Sequence, residues 1–418
     1  MLELGKLEPK NIDDYKPFVN DGFLDSLKKA SEPLQNKKIF HISASPLFGG
    51  GGITEVLKSV IPLERALGID SQWYSIKPTD SVFSIITKRI LNALQGANIT
   101  LSTAEIKRYL DINKLIAKSL EELTPDLLIL HDPQPLAAIG FYHNVPMISR
   151  LHFDFSEPNN QAVGLIMPYL SEYDKIVFTT KEFILNNLPK DKIEVHPVAI
   201  DPLAEKNKPI NPEYAKSILQ ILGIDTSRPI IAQVSRFDPW KDPVGVIQAY
   251  YMAKNTLPGL QLILLGNILT EDNPEAKEVF RIVKKYASGD PDIFLFKKPP
   301  SKKTSNEMMV KTVQSASDII LQKSIKEGFG LSIAEAMWQG RPVIGGNVGG
   351  IKLQIENGVN GFLVSTPKEA SERIIELIKN PELAKKMGTK AKESVRKNFL
   401  MPRLLSDHIK LYSSILNL

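Results

Sequence analysis

Apolar residues along the chain collect in short runs divided by longer stretches of helical periodicity. Lys38-Ile39-Phe40-His41-Ile42-Ser43 is one such run, followed by four glycines at 49–52 and then by Ile53, Val56, Leu57, Val60 and Ile61 at spacings of three and four, with Gly68 as a stop. The pattern predicts strand, glycine loop and helix, with one helix face packed on a sheet. Further strands are expected at 126–131, 145–150 and 175–178, each apolar and flanked by polar residues or proline. Two prolines interrupt the alternation in His196-Pro197-Val198-Ala199-Ile200-Asp201-Pro202, which sets a domain boundary near residue 200. The alternation resumes at Pro229-Ile230-Ile231-Ala232-Gln233-Val234 and continues through 260–265, 292–296, 318–321 and 342–344.

The expected fold class is therefore α/β, with two Rossmann-like domains of mostly parallel sheet, 1–200 and 201–400, facing a cleft. Asp242-Pro243 and Asn380-Pro381 each place a capping side chain before a proline at the first helical position. The last segment carries Leu405, Ile409, Tyr412 and Leu416 at helical spacing, and either completes the second domain or crosses back to the first.

Composition narrows the function. A chain of 418 residues with 43% hydrophobic and 24% charged residues is of the ordinary globular kind and long enough for two cores. The net charge of +5 requires no more than a small anionic ligand. The basic stretch Lys297-Lys298-Pro299-Pro300-Ser301-Lys302-Lys303 has no interleaved aromatics, so no nucleic acid partner is expected. With no cysteine there are no disulfides, thiol nucleophiles or Cys-ligated zinc, which fits a cytoplasmic or thermophilic setting. Neither a secretory leader nor a membrane span is expected, since no apolar run reaches the required length. Homo-oligomerisation is left open.

Three stretches carry candidate chemistry. The glycines at 49–52 lie between strand and helix, where a phosphate can approach helix amides. They match neither the Walker pattern nor the dinucleotide fingerprint, because Thr54 stands where the third glycine belongs, and this argues against a dehydrogenase. In Val234-Ser235-Arg236-Phe237-Asp238-Pro239-Trp240-Lys241 two cations follow a strand end, suited to neutralising a diphosphate. Glu327-Gly328-Phe329-Gly330-Leu331-Ser332-Ile333-Ala334-Glu335 sets two carboxylates around a glycine loop and helix start, suited to the hydroxyls of a sugar ligand. Asp290-Pro291-Asp292 has the form of a metal-binding Asp-x-Asp, but a proline-fixed turn before a strand accounts for it, and no metal site is expected.

Arg236 with Lys241, followed by Glu327-x7-Glu335, resembles the signature of retaining glycosyltransferases of the GT-B fold, family four. His131-Asp132-Pro133-Gln134-Pro135 and His152-x-Asp154 make the chain similar to the archaeal trehalose-glycosyltransferring synthases within that family, over roughly residues 38–400. The resemblance implies that Arg236 and Lys241 hold the diphosphate. It places Glu327 and His152 at the donor sugar and Glu335 at the ribose, with Gly51, Gly52 and the 328–331 segment (Gly328, Phe329, Gly330, Leu331) around the donor. It sets His131, Asp132 and Gln134 near the acceptor. The implied reaction is metal-free transfer of glucose from a nucleoside-diphosphate glucose to glucose, giving trehalose, with no cofactor. Transfer to another small sugar or sugar acid, and sugar-nucleotide epimerisation, are the alternatives.

Overall fold

The computed structural model describes residues 1–44, 51–77, 81–266, 274–299 and 304–418. Gly49, Gly50 and the basic residues Lys302 and Lys303 lie outside the described residues. The chain divides into two compact units, Met1–Ala199 with Met401–Leu418, and Ile200–Leu400. No described helix is long and apolar enough to cross a membrane.

The strands of unit one are β1 (Leu2–Leu4), β2 (Lys38–Ser43), β3 (Asp70–Ile76), β4 (Leu127–His131), β5 (Met147–Arg150), β6 (Lys175–Phe178) and β7 (Ile193–Val195). They form a sheet in the order β1-β3-β2-β4-β5-β6-β7, parallel except for β1. Pleating divides each central strand between two faces. Phe40, Ile42, Leu128 and Leu130 join one core with Phe83 and Ile90 of the helix Ser81–Leu94 and Ile112 and Ile116 of the helix Thr103–Leu120. The alternate positions His41, Ile129 and His131 are buried as well. The helix Gly52–Ala66 packs against the terminal helix Met401–Leu416, so the last segment crosses back to the first unit. Gly68 takes a φ of +86° just beyond the helix Gly52–Ala66, as its stop position requires.

Unit two contains β8 (Ile230–Val234), β9 (Gln261–Leu265), β10 (Ile293–Phe296), β11 (Ile319–Gln322), β12 (Val343–Gly346) and β13 (Phe362–Val364), ordered β10-β9-β8-β11-β12-β13 and parallel throughout. The order reverses between β8 and β11, and an open parallel sheet binds ligands beyond the strand ends at such a point. Asp242 caps the helix Pro243–Lys254, its Oδ1 accepting from the Gly245 amide at 3.0 Å. Asn380 does not cap the helix it precedes. Its amide instead donates to the Glu376 carbonyl at 2.7 Å, closing the helix before it. An amide has donors as well as an acceptor, and here the unpaired carbonyls of the preceding helix end claim them.

Candidate active site

In unit two the loops after β8 and β11 meet at the reversal point. The Nζ of Lys241 lies 2.5 Å from Oε2 of Glu327, and Ser324 Oγ donates to the same oxygen at 3.1 Å. Asp242 and Lys323 pair beside them, also joining the two loops. Arg236 contacts Asp238 at 3.5 Å with 56% of its side chain exposed, so its guanidinium remains open to a ligand in solvent. The cations after β8 thus differ: Lys241 is held closely by Glu327, while Arg236 makes a longer, half-exposed contact with Asp238.

The Glu327 loop is held in shape by backbone and by Gln354. The Gly350 amide donates to the Glu327 carbonyl at 3.0 Å, and Gln354 Nε2 donates to the Phe329 carbonyl at 2.5 Å. Gly330 has a φ of +86° and begins the helix Leu331–Trp338, a turn that a residue with a Cβ adopts only under strain. At Gly350 an added Cβ would sit 2.4 Å from the Gly328 carbonyl oxygen, so the glycine is needed for close approach of two backbones. The first amides of a helix lack partners within it, and Gly328 to Leu331 lead into that helix start. Glu335 sits inside the helix with its carboxylate 2.8 Å from Lys206. The Asp290 and Asp292 carboxylates both accept from Lys254 at 2.9 Å, and Arg228 lies 2.8 Å from Asp292. This pair is thereby bound into an ion cluster.

In unit one the ends of β4 and β5 carry the remaining candidates. Asp132 follows β4 with a φ of +63°, a conformation that aspartate tolerates, and its Oδ1 accepts the His152 amide at 2.8 Å. Burial pushes the Asp132 carboxyl up to about 7, against the opposing pull of the His152 amide and Arg150. The Gln134 carbonyl accepts from Asn113 at 3.1 Å, and the Pro133 carbonyl from Tyr109 at 2.6 Å, which anchors the loop to the helix Thr103–Leu120. Gly51 precedes the helix Gly52–Ala66 with extended φ, and among the described residues an added Cβ there would meet nothing within 4 Å.

His131, expected near the acceptor, has both ring nitrogens engaged within unit one. Its Nε2 lies 3.0 Å from His41 Nδ1 and its Nδ1 lies 2.9 Å from His152 Nε2, so neither ring nitrogen is left for a ligand. His41 Nε2 in turn lies 3.2 Å from Glu64 Oε2. Glu64 is wholly buried and also accepts from Ser71, Tyr412 and His408. Burial alone would raise its carboxyl; the interaction with His41 and the hydrogen bonds of His408 and His41 outweigh this and hold it well below the usual carboxylate range. Burial also keeps His131 and His152 well below the ordinary imidazole value, reinforced at His131 by its histidine neighbours and at His152 by Arg150. A pocket beside this cluster is lined by His131, Arg150, His152, His196, His408 and Tyr412. The sequence pattern did not single out His41, Glu64, His408 or Lys206. The available signal was Glu64 itself, a charge on the apolar stripe of Leu57, Val60 and Ile61.

Comparison with known proteins yields two family matches along the chain: residues 41–185 to the trehalose synthase N-terminal domain and residues 215–394 to the group 1 glycosyl transferases. A trehalose synthase from Pyrococcus horikoshii is 38% identical over 98% of this chain and 96% of its own. One from Rubrobacter xylanophilus is 38% identical over 97% of both chains. Among solved structures, a UDP-forming α,α-trehalose-phosphate synthase from Burkholderia xenovorans matches with a TM-score of 0.72, covering 91% of this chain and 100% of that one. At 12% identity the last likeness speaks for the fold alone.

Proposed function

The chain belongs to the trehalose synthase family of group 1 glycosyl transferases, and from that premise we propose that it moves glucose from a nucleoside-diphosphate glucose to free glucose, with retention, forming trehalose. The observation that carries this reading is the convergence of Lys241 and Glu327 at the reversal point of the second sheet, with Arg236 beside them on the same loop. An anionic diphosphate finds fixed cations there, and a hexosyl group finds a carboxylate that accepts hydroxyl protons.

The steps follow from charge. Breaking the bond between the anomeric carbon and the phosphate oxygen leaves negative charge on the diphosphate and positive charge on the sugar. Arg236 and Lys241 stabilise the first, with the amides leading into the helix Leu331–Trp338. Glu327 holds the sugar hydroxyls, and its carboxylate favours the cationic ring. The acceptor hydroxyl attacks the face the diphosphate leaves and passes its proton to the departing phosphate oxygen, which retains the anomeric configuration. Because cations of the chain do this work, we propose that no metal is required. Glu335 contacts the ribose, Gly51 and Gly52 admit the phosphates, His152 meets the donor sugar, and Asp132 and Gln134 orient the acceptor.

The test is incubation with several nucleoside-diphosphate glucoses and glucose, with a chelator present, and identification of products by NMR. An α,α-linked disaccharide supports the reading. In parallel incubations, transfer only when another sugar replaces glucose rejects glucose as acceptor, and glucose 1-phosphate from trehalose and inorganic phosphate indicates a phosphorylase; release of a different sugar nucleotide indicates epimerisation. A product that forms only without the chelator overturns the metal-free mechanism.

A further inference from the structure

All six histidines of the chain lie in unit one, and three of them form a continuous line across adjacent strands. His41 is on β2, His131 ends β4, and His152 follows β5. The rings of His41 and His131 are 5.3 Å apart and 22° from parallel, and those of His131 and His152 are 5.2 Å apart and 18° from parallel. The line ends at the Glu64 carboxylate, with contacts of 2.9 Å, 3.0 Å and 3.2 Å from His152 inward. Nothing in the proposed reaction needs a buried histidine line behind the sugar site, and its cost in buried polar groups calls for a role.

The proton order in such a line is determined from its end. An ionised carboxylate only accepts, so with the rings neutral His41 carries its proton on Nε2 and offers a lone pair at Nδ1. That lone pair takes the proton on His131 Nε2, leaving His131 Nδ1 as acceptor. His131 Nδ1 then takes the proton on His152 Nε2. With each ring neutral, every imidazole is the Nε2–H form, and His152 is left with an unprotonated Nδ1. The surrounding groups support this order. Arg150 donates to the Val177 and His196 carbonyls, and a cation beside the rings disfavours further protonation. His408 and Tyr412 engage the other oxygen of Glu64, and Ser71 shares the oxygen that faces His41.

We propose that Glu64, His41 and His131 are positioning residues that act through this relay on His152, presenting its Nδ1 lone pair to a hydroxyl of the bound hexosyl group. The assignment of that hydroxyl rests on the proposed function; the tautomer does not. An unprotonated Nδ1 welcomes a neutral hydroxyl and repels a phosphate oxygen, so the relay selects an unphosphorylated sugar position at His152. It also gives any proton taken up at Nδ1 a defined path. One proton shifts along each hydrogen bond, from His152 Nε2 to His131 Nδ1 and from His131 Nε2 to His41 Nδ1. The positive charge comes to rest on His41 beside the Glu64 carboxylate, and return of the proton reverses the same shifts.

Long-range proton–nitrogen NMR at pH 8 distinguishes protonated from unprotonated ring nitrogens, and six single-histidine variants assign the signals of the intact protein. The expected result is Nε2–H for His41, His131 and His152. An Nδ1–H form at His152 in the wild-type protein overturns the proposal without reference to activity. In His41→Phe, His131 loses its acceptor; the His152 signals should change to a tautomer mixture and kcat should fall on the order of 10- to 100-fold, the scale for loss of an outer partner that orients a histidine. Unchanged His152 signals in folded His41→Phe overturn it too. If the wild-type protein shows the Nε2–H line but transfers no glucose, the functional reading fails and the relay stands.

Discussion

Glu64→Gln tests the buried anchor of unit one most directly. The carboxylate has no exposed surface and takes four hydrogen bonds: Ser71 Oγ at 2.5 Å and His41 at 3.2 Å on Oε2, and His408 and Tyr412 at 3.0 Å each on Oε1. A glutamine keeps an oxygen for one side and turns an NH2 group on the donors of the other. Bonds to a charged group contribute about 1.5–3 kcal/mol each, against about 1 for neutral pairs. Weakening all four, partly offset by relief of a buried charge, gives an expected loss of about 3 kcal/mol, within the range for breaking a buried charge network.

The pH dependence carries the sign. The Glu64 carboxyl is held below the ordinary carboxyl value of 4.5, so its contribution is fully present above that pH and is lost as the pH falls toward the folded-state value. The deficit of Glu64→Gln should be flat from pH 8 to about pH 5, then shrink by about 1.4 kcal/mol for each further unit of acid. Urea unfolding should be followed by Trp73, wholly buried and paired with His41 in the β2–β3 register, in a background carrying Trp240→Phe and Trp338→Phe so that unit one reports alone. A deficit below about 1 kcal/mol at pH 7, or one that does not shrink in acid, refutes an ionised Glu64 as the anchor.

Glu327→Ala and Arg236→Ala should each lower turnover by on the order of 10² to 10³, measured by product formation at saturating donor, and wild-type-like turnover in both defeats the donor-site assignment. Asp132→Asn should remove a pH-dependent term. The carboxyl rises from 3.8 to about 7 on folding, so it stabilises the fold below about pH 4 and loses that advantage as the pH climbs through 7. Relative to Asp132→Asn, the wild type should lose up to about 4 kcal/mol across this window, read from unfolding curves at each pH. Gly350→Ala should cost about 1–3 kcal/mol and distort the Glu327 loop, whereas Gly51→Ala, where a Cβ meets no described residue, should change stability by less than about 1 kcal/mol while lowering activity. Equal effects of the two on thermal unfolding contradict the steric reading.

Much of the fold was legible because buried parallel strands are short apolar runs between prolines, glycines and polar residues. β2, β6 and β8 lie where those runs do. β3 escaped notice because Asp70-Ser71-Gln72-Trp73-Tyr74-Ser75-Ile76 contains few aliphatic residues, and its hydrogen bonds to β2 and β1 make it a strand. β1, β7 and β13 have three residues each, too few to show a period.

The same distinction holds at the site. Arg236, Lys241, Glu327 and Glu335 are legible because each group stands at fixed spacing on one loop or helix start, and local geometry follows from local sequence. Their convergence is a matter of strand order: only the pairing of β8 with β11 brings Lys241 to Glu327 across 86 positions. The histidine relay lies further from any sequence pattern. His41 and His131 are 90 positions apart, and Glu64 and His408 are 344. A lone histidine in an apolar strand carries no sign of its partner, because a hydrogen bond is set by distance in space and not along the chain. Sequence alone therefore determined most of the longer elements and the charged groups of the two loops, while tertiary structure decided that His131 pairs with His41 and His152 and that Glu64 stands at the end of that line.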